Sequence, residues 1–135
     1  MGKYFIFQIK EEYFNVYKNN PVALYKILEN LYFLENMNFN YGISIYNQLC
    51  KPFDVNVISS YYNQYKSILN KYVLYNDKSI FEINNTCLVV LSNSKLPEKI
   101  KKLHYYSRTL FVCEFKKQEY FWLEEDKVYQ MHNYT

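Results

Sequence analysis

Tyr4 to Ile9 is aromatic or β-branched at nearly every position. A run this short and this apolar predicts a strand buried on both faces. Lys10-Glu11-Glu12 follows and opens a short helix, with its acids at the positive N-terminal end. Within that helix Tyr13 and Tyr17 lie four apart and share a face. Phe14 sits about 100° round from Tyr13, so the helix presents aromatics in two directions. Asn20 suits an N-cap and Pro21 the first helical position. Leu24, Ile27, Leu28 and Leu31 then form a core-facing stripe. Glu35 to Gly42 is polar and Asn-rich and predicts a loop. Ser44 to Leu49 predicts another short helix, stopped by Pro52. Asp54 can cap a longer helix carrying Ile58, Tyr61, Tyr62, Tyr65 and Leu69.

The period changes in the second half. Tyr72 to Tyr75 and Ser79 to Ile83 are short apolar runs joined by Asn76-Asp77-Lys78, a hairpin signal. Asn84-Asn85 predicts a second turn, because Asn tolerates positive φ. Cys87 to Leu91 predicts a buried strand, and Ser94 to Tyr106, with Pro97 near its start, a helix. Thr109 to Phe115 and Tyr120 to Leu123 pair across Lys116-Lys117-Gln118-Glu119 in a final hairpin. Val128 to Thr135 is polar and predicts a frayed tail. Tight turns join most strand neighbours, so the expected class is α+β: one domain over all 135 residues, a mainly antiparallel sheet covered by several helices. Two glycines and three prolines leave no linker, and no internal repeat is visible.

Composition adds constraints. A chain of this length buries roughly two-thirds of its unfolded surface, enough for a core without metals or disulfides. The 17 Tyr and 10 Phe are too many for one small core. Either some Tyr lie at the surface, as at interfaces, or an AT-rich coding bias accounts for the excess. A net charge of +3 is far short of a basic nucleic-acid arm. Cys50, Cys87 and Cys113 are odd in number, lack CxxC spacing and sit among apolar residues, which predicts buried thiols in a reducing compartment. The apolar opening is too short for a signal peptide, no run is long enough to span a membrane, and the myristoylation pattern fails.

Chemistry-bearing motifs are absent from the sequence: no Gly-rich phosphate loop, no GxSxG, no HExxH. His104 and His132 have no Cys or carboxylate at metal-ligand spacing. Glu11-Glu12 reads as helix-dipole complementation and Glu124-Glu125-Asp126 as a solvated turn. No catalysis, metal, cofactor or small-molecule substrate is therefore expected. Lys95, Lys99, Lys101, Lys102 and Arg108 could form a nucleic-acid-binding face, or merely a solvated helix surface. The double-sided first helix could dock a protein partner, or be covered by neighbouring helices.

One family resemblance sharpens this. Tyr4-Phe5-Ile6-Phe7-Gln8-Ile9-Lys10-Glu11-Glu12-Tyr13, with Tyr17 four residues on, resembles the opening of the SirA family, the sporulation inhibitors of replication. Leu110 to Phe115, a polar turn and Tyr120-Phe121-Trp122-Leu123 resemble that family's closing hairpin. The likeness runs nearly end to end and is sharp over about ten residues at the start and fifteen at the end. It implies a cytoplasmic, non-enzymatic protein that binds the N-terminal domain of the replication initiator DnaA and hinders initiation as cells commit to sporulation. It further implies partner contacts at Tyr13 and Tyr17 and around Ser44, Ile45 and Gln48. Tyr13 stands where the family commonly has Phe, which adds a hydroxyl to be satisfied. The alternatives are a small nucleic-acid-binding protein using the basic face, or an inhibitor of a different host protein.

Overall fold

The protein was analysed as a computed structural model, which describes residues 2–34, 39–68, 70–74, 79–84, 87–93, 95–125 and 127–131. Its elements are β1 (Gly2–Gln8), α1 (Glu11–Tyr17), α2 (Pro21–Leu34), α3 (Phe39–Leu49), α4 (Val55–Tyr62), β2 (Lys66–Ile68), β3 (Lys71–Leu74), β4 (Ser79–Ile83), β5 (Leu88–Ser92), α5 (Glu98–Lys101), β6 (Leu110–Glu114), β7 (Glu119–Trp122) and β8 (Tyr129–Gln130). Short 3-10 turns, Asn63–Tyr65 and Lys102–Tyr105, extend α4 and α5. The strands form one eight-stranded sheet in the order β2-β3-β4-β5-β1-β6-β7-β8. Every neighbouring pair is antiparallel. The expected α+β architecture is therefore the one observed.

β1 is an interior strand because its alternate residues are apolar on both sides. Tyr4 and Ile6 enter a core closed by α4, α5 and the turn after it, through Ile58, Tyr62, Ile100 and Leu103. Phe7, with Phe5 at its margin, enters the opposite core, closed by Phe14 of α1, by Leu24, Tyr25, Leu28 and Leu31 of α2, and by Leu49 of α3. The α2 stripe lies as its spacing predicts, with Ile27 only partly buried. Trp122 is buried in this second core, with its ring edge-on to Phe14 at 4.9 Å and to Phe111 at 4.7 Å. Cys50, Cys87 and Cys113 are buried thiols in the same core. Burial pushes the Cys50 thiol up to about 12, and the neighbouring Cys87 adds to the rise. Such thiols are poor nucleophiles.

Four boundaries differ from the sequence expectation. α3 starts at Phe39, so Gly42 lies inside a helix, and 35–38 of the expected loop lie outside the described residues. α4 stops at Tyr62 rather than running to Leu69, and Lys66–Ile68 instead pairs with β3. Asn70, at φ 62°, makes the tight return between those strands. The helix after Pro97 is one turn of α-helix and then 3-10. Tyr129–Gln130 is not a frayed tail but pairs with β7, with Tyr129 stacked on Tyr120 at 5.5 Å. The turn at 76–78, Asn85, and 132–135 with His132 lie outside the described residues.

The predicted cap at Asp54 is present: its carboxylate accepts from the backbone N–H groups of Asn56 at 3.0 Å and Val57 at 3.3 Å. Asp54→Ala leaves both donors without that acceptor and is expected to cost about 1 kcal/mol. Thermal denaturation should show a fall in Tm of about 4 °C, largely restored in Asp54→Ser. An unchanged Tm for Asp54→Ala would show that water serves those donors equally well.

Candidate protein-docking surface

The N-terminal helix is held in place by the backbone around it. At the end of β1, Ile9 forms an isolated antiparallel bridge with Cys50, just past α3. Lys51 N–H donates to the Gln8 carbonyl at 2.7 Å, and Lys10 N–H donates to the Leu49 carbonyl at 3.1 Å. The chain thus stitches the start of α1 to the end of α3. Only Phe14 of α1 is buried, which fixes the helix rotation. The Arg108 guanidinium lies over the Phe14 ring at 4.8 Å and forms an ion pair with Glu11 at 2.6 Å. Both partners of the pair are more than half exposed, so it contributes at most about 1 kcal/mol.

With Phe14 turned inward, Tyr13 and Tyr17 come to the outer margin, half-buried against the core beneath α1 and α2. The Gln48 side-chain amide donates to the Tyr13 hydroxyl at 3.3 Å. That contact joins two helices 35 residues apart in sequence and supplies the hydroxyl with a partner. Ser44 and Gln48, one turn apart on α3, are exposed, and Ile45 is half-buried against the same core. The five residues singled out by resemblance therefore lie on the two helices that this bond joins. Tyr13 and Tyr17 are not fully free of the core, so truncating them must cost some stability as well as surface.

One residue escaped the sequence reading. Val16 is 64% exposed and sits about 60° from Tyr13, on the side away from Phe14. Tyr13, Val16 and Tyr17 make one apolar arc on the outside of α1. Among the aromatics of Tyr13 to Tyr17 this Val does not stand out, and its exposure follows only once Phe14 is known to point inward.

The basic face is largely used within the protein. Arg108 pairs with Glu11, Lys101 with Glu98 at 3.2 Å, and Lys99 donates to the Tyr65 hydroxyl. Lys95 and Lys102 are exposed. Among the described residues no group of His, Cys, Asp or Glu could hold a metal ion, and no helix is long and apolar enough to cross a membrane. No protein-family model matches the chain, and no curated protein sequence does so.

Proposed function

We propose that this protein is a non-enzymatic inhibitor that docks another protein through the α1–α3 surface. The partner we infer is the N-terminal domain of DnaA, with chromosome replication initiation as the process hindered and the cytoplasm as the site of action. The resemblance of the opening and closing segments to the SirA family names that partner. One observation carries the docking surface: the bond from Gln48 to Tyr13, which joins the two contact segments implied by the resemblance. Half-exposed Tyr rings beside an exposed Val, rimmed by Ser44 and Gln48, have the composition of an interface centre with a polar edge.

The rival is nucleic-acid binding through Lys95, Lys99, Lys101, Lys102 and Arg108. The ion pairs at Lys101 and Arg108 weigh against it, because each would have to be exchanged for a phosphate contact. Titrating the protein with the host's DnaA N-terminal domain and with duplex DNA, at about 50 and 200 mM salt, separates the two. The expected result is a complex with the initiator domain whose affinity changes only a few-fold with salt. Binding to DNA that falls by about 10³ over that range would identify the rival. Failure to bind the initiator domain, with a different protein recovered from the host, would keep the inhibitor class and replace the partner.

A further inference from the structure

On the other face of the sheet, α4 and α5 leave a cleft between them that the docking surface does not use. It has a volume of about 230 Å³ and is walled by Tyr61, Tyr65, Tyr106 and Leu103, with Lys99 and Lys102 on one side. Lys99 and Lys102 stand three apart along α5 and its 3-10 extension, so both ammonium groups reach the same side. No Asp or Glu lines the cleft. Neither lysine forms an ion pair among the described residues, whereas Lys101 and Arg108 do. Two positive charges thus face an aromatic wall with no internal counterion.

Lys99 is held ready. Its ammonium donates to the Tyr65 hydroxyl and lies 4.4 Å from the centre of the Tyr65 ring. The Tyr62 hydroxyl donates to the Lys99 carbonyl at 2.5 Å and fixes the backbone beneath it. The hydrogen bond and charge of Lys99, a hydrogen bond with Gln64 and the charge of Lys102 together hold the Tyr65 phenol below the usual tyrosine range. Ordering a lysine before the ligand arrives removes part of the entropic cost of binding. Across the cleft, the Tyr61 ring is 57% exposed and free to stack on a flat partner. The volume is below the roughly 300 Å³ of a drug-sized pocket, so the space suits one ring and its anionic group.

The geometry points to a binding site for a small aromatic monophosphate, its phosphate held by Lys99 and Lys102 and its ring stacked on Tyr61. A nucleotide and an aryl phosphate share that chemistry. Calorimetric titration of the whole protein with adenosine monophosphate, phenyl phosphate, inorganic phosphate and adenosine tests the site. One or both of the aromatic phosphates should bind about tenfold tighter than inorganic phosphate or adenosine, the usual gain from one stacked ring. Whichever of them binds better identifies the source. Lys102→Met should weaken that ligand about tenfold, as loss of a charged hydrogen bond does. Tyr61→Ala should reduce its affinity to that of inorganic phosphate. Lys102 and Tyr61 are both exposed, so neither change threatens the fold. Aromatic phosphates that bind no better than inorganic phosphate, or a ligand indifferent to Lys102→Met, would overturn the site. DnaA binding is expected to be unchanged in both variants, since the cleft and the α1–α3 surface lie over different cores.

Discussion

Phe14→Ala is expected to cost about 3 kcal/mol of folding stability, a fall in Tm of about 10 °C. The residue is 8% exposed and is the only buried side chain of α1. Its ring stands edge-on to Trp122 and carries the Arg108 guanidinium at 4.8 Å. Removing it strips one wall from the buried indole and leaves α1 joined to the body by backbone bonds and half-buried Tyr. A seven-residue helix has little intrinsic stability, so the loss of its anchor should loosen α1 before the sheet unfolds. Trp122 is the only tryptophan, so its fluorescence reports that event directly. The emission of Phe14→Ala should shift to the red below the global transition. Phe14→Leu, which keeps most of the volume, should stay blue and lose about half as much stability. A loss under about 1 kcal/mol, with unshifted emission, would mean that α1 is held by its backbone bonds alone.

The same helix shows how much of the molecule was legible in advance. β1, the α2 stripe and both strands of the Trp122 hairpin were plain, because buried interior elements carry dense and periodic apolar signals. The two edge strands were not. Lys66, Ser67 and Ile68 of β2 are all exposed, so nothing in their polarity marks a strand; only the pairing with β3 makes one. β8 is two residues long and is tied down by one Tyr stack and by the bond from Met131 N–H to the Gln118 carbonyl. α3 hid its first turn because Asn and Gly are poor helix formers, and its packing on α2 overrides that preference. Of the candidate surface, the separation of Phe14 from the face shared by Tyr13 and Tyr17 followed from helical spacing. The approach of Gln48 to Tyr13 did not, since it depends on Ile9 and Cys50 meeting across 40 intervening positions. The aromatic cleft was also invisible, because Tyr61 and Tyr65 meet Lys99 and Lys102 only when α4 and α5 share one face of the sheet.

Tyr13→Ala and Tyr17→Ala are each expected to weaken partner binding by about 2 kcal/mol, roughly thirtyfold, the usual size for an aromatic interface anchor. Both rings are half-buried against the core, so each truncation should also cost about 1 kcal/mol of stability, well short of Phe14→Ala. The two effects separate by temperature. At about 25 °C both variants remain folded, and their affinities report the surface alone. Tyr13→Phe sharpens the test. It removes the acceptor for the Gln48 amide but keeps the ring, and Gln48 is exposed enough for water to replace the bond. If the ring is the anchor, Tyr13→Phe should bind within a few-fold of wild type while Tyr13→Ala loses about thirtyfold. If the hydroxyl and Gln48 together form the recognition element, Tyr13→Phe and Gln48→Ala should fall alike. Val16→Asp places a charge at the edge of the same arc, beside Tyr13, and should abolish binding with almost no change in Tm, since the side chain is 64% exposed. Wild-type affinity in Val16→Asp would move the partner off α1 altogether. The Tyr excess would then be a matter of composition, and the contact would have to be sought on another face of the sheet.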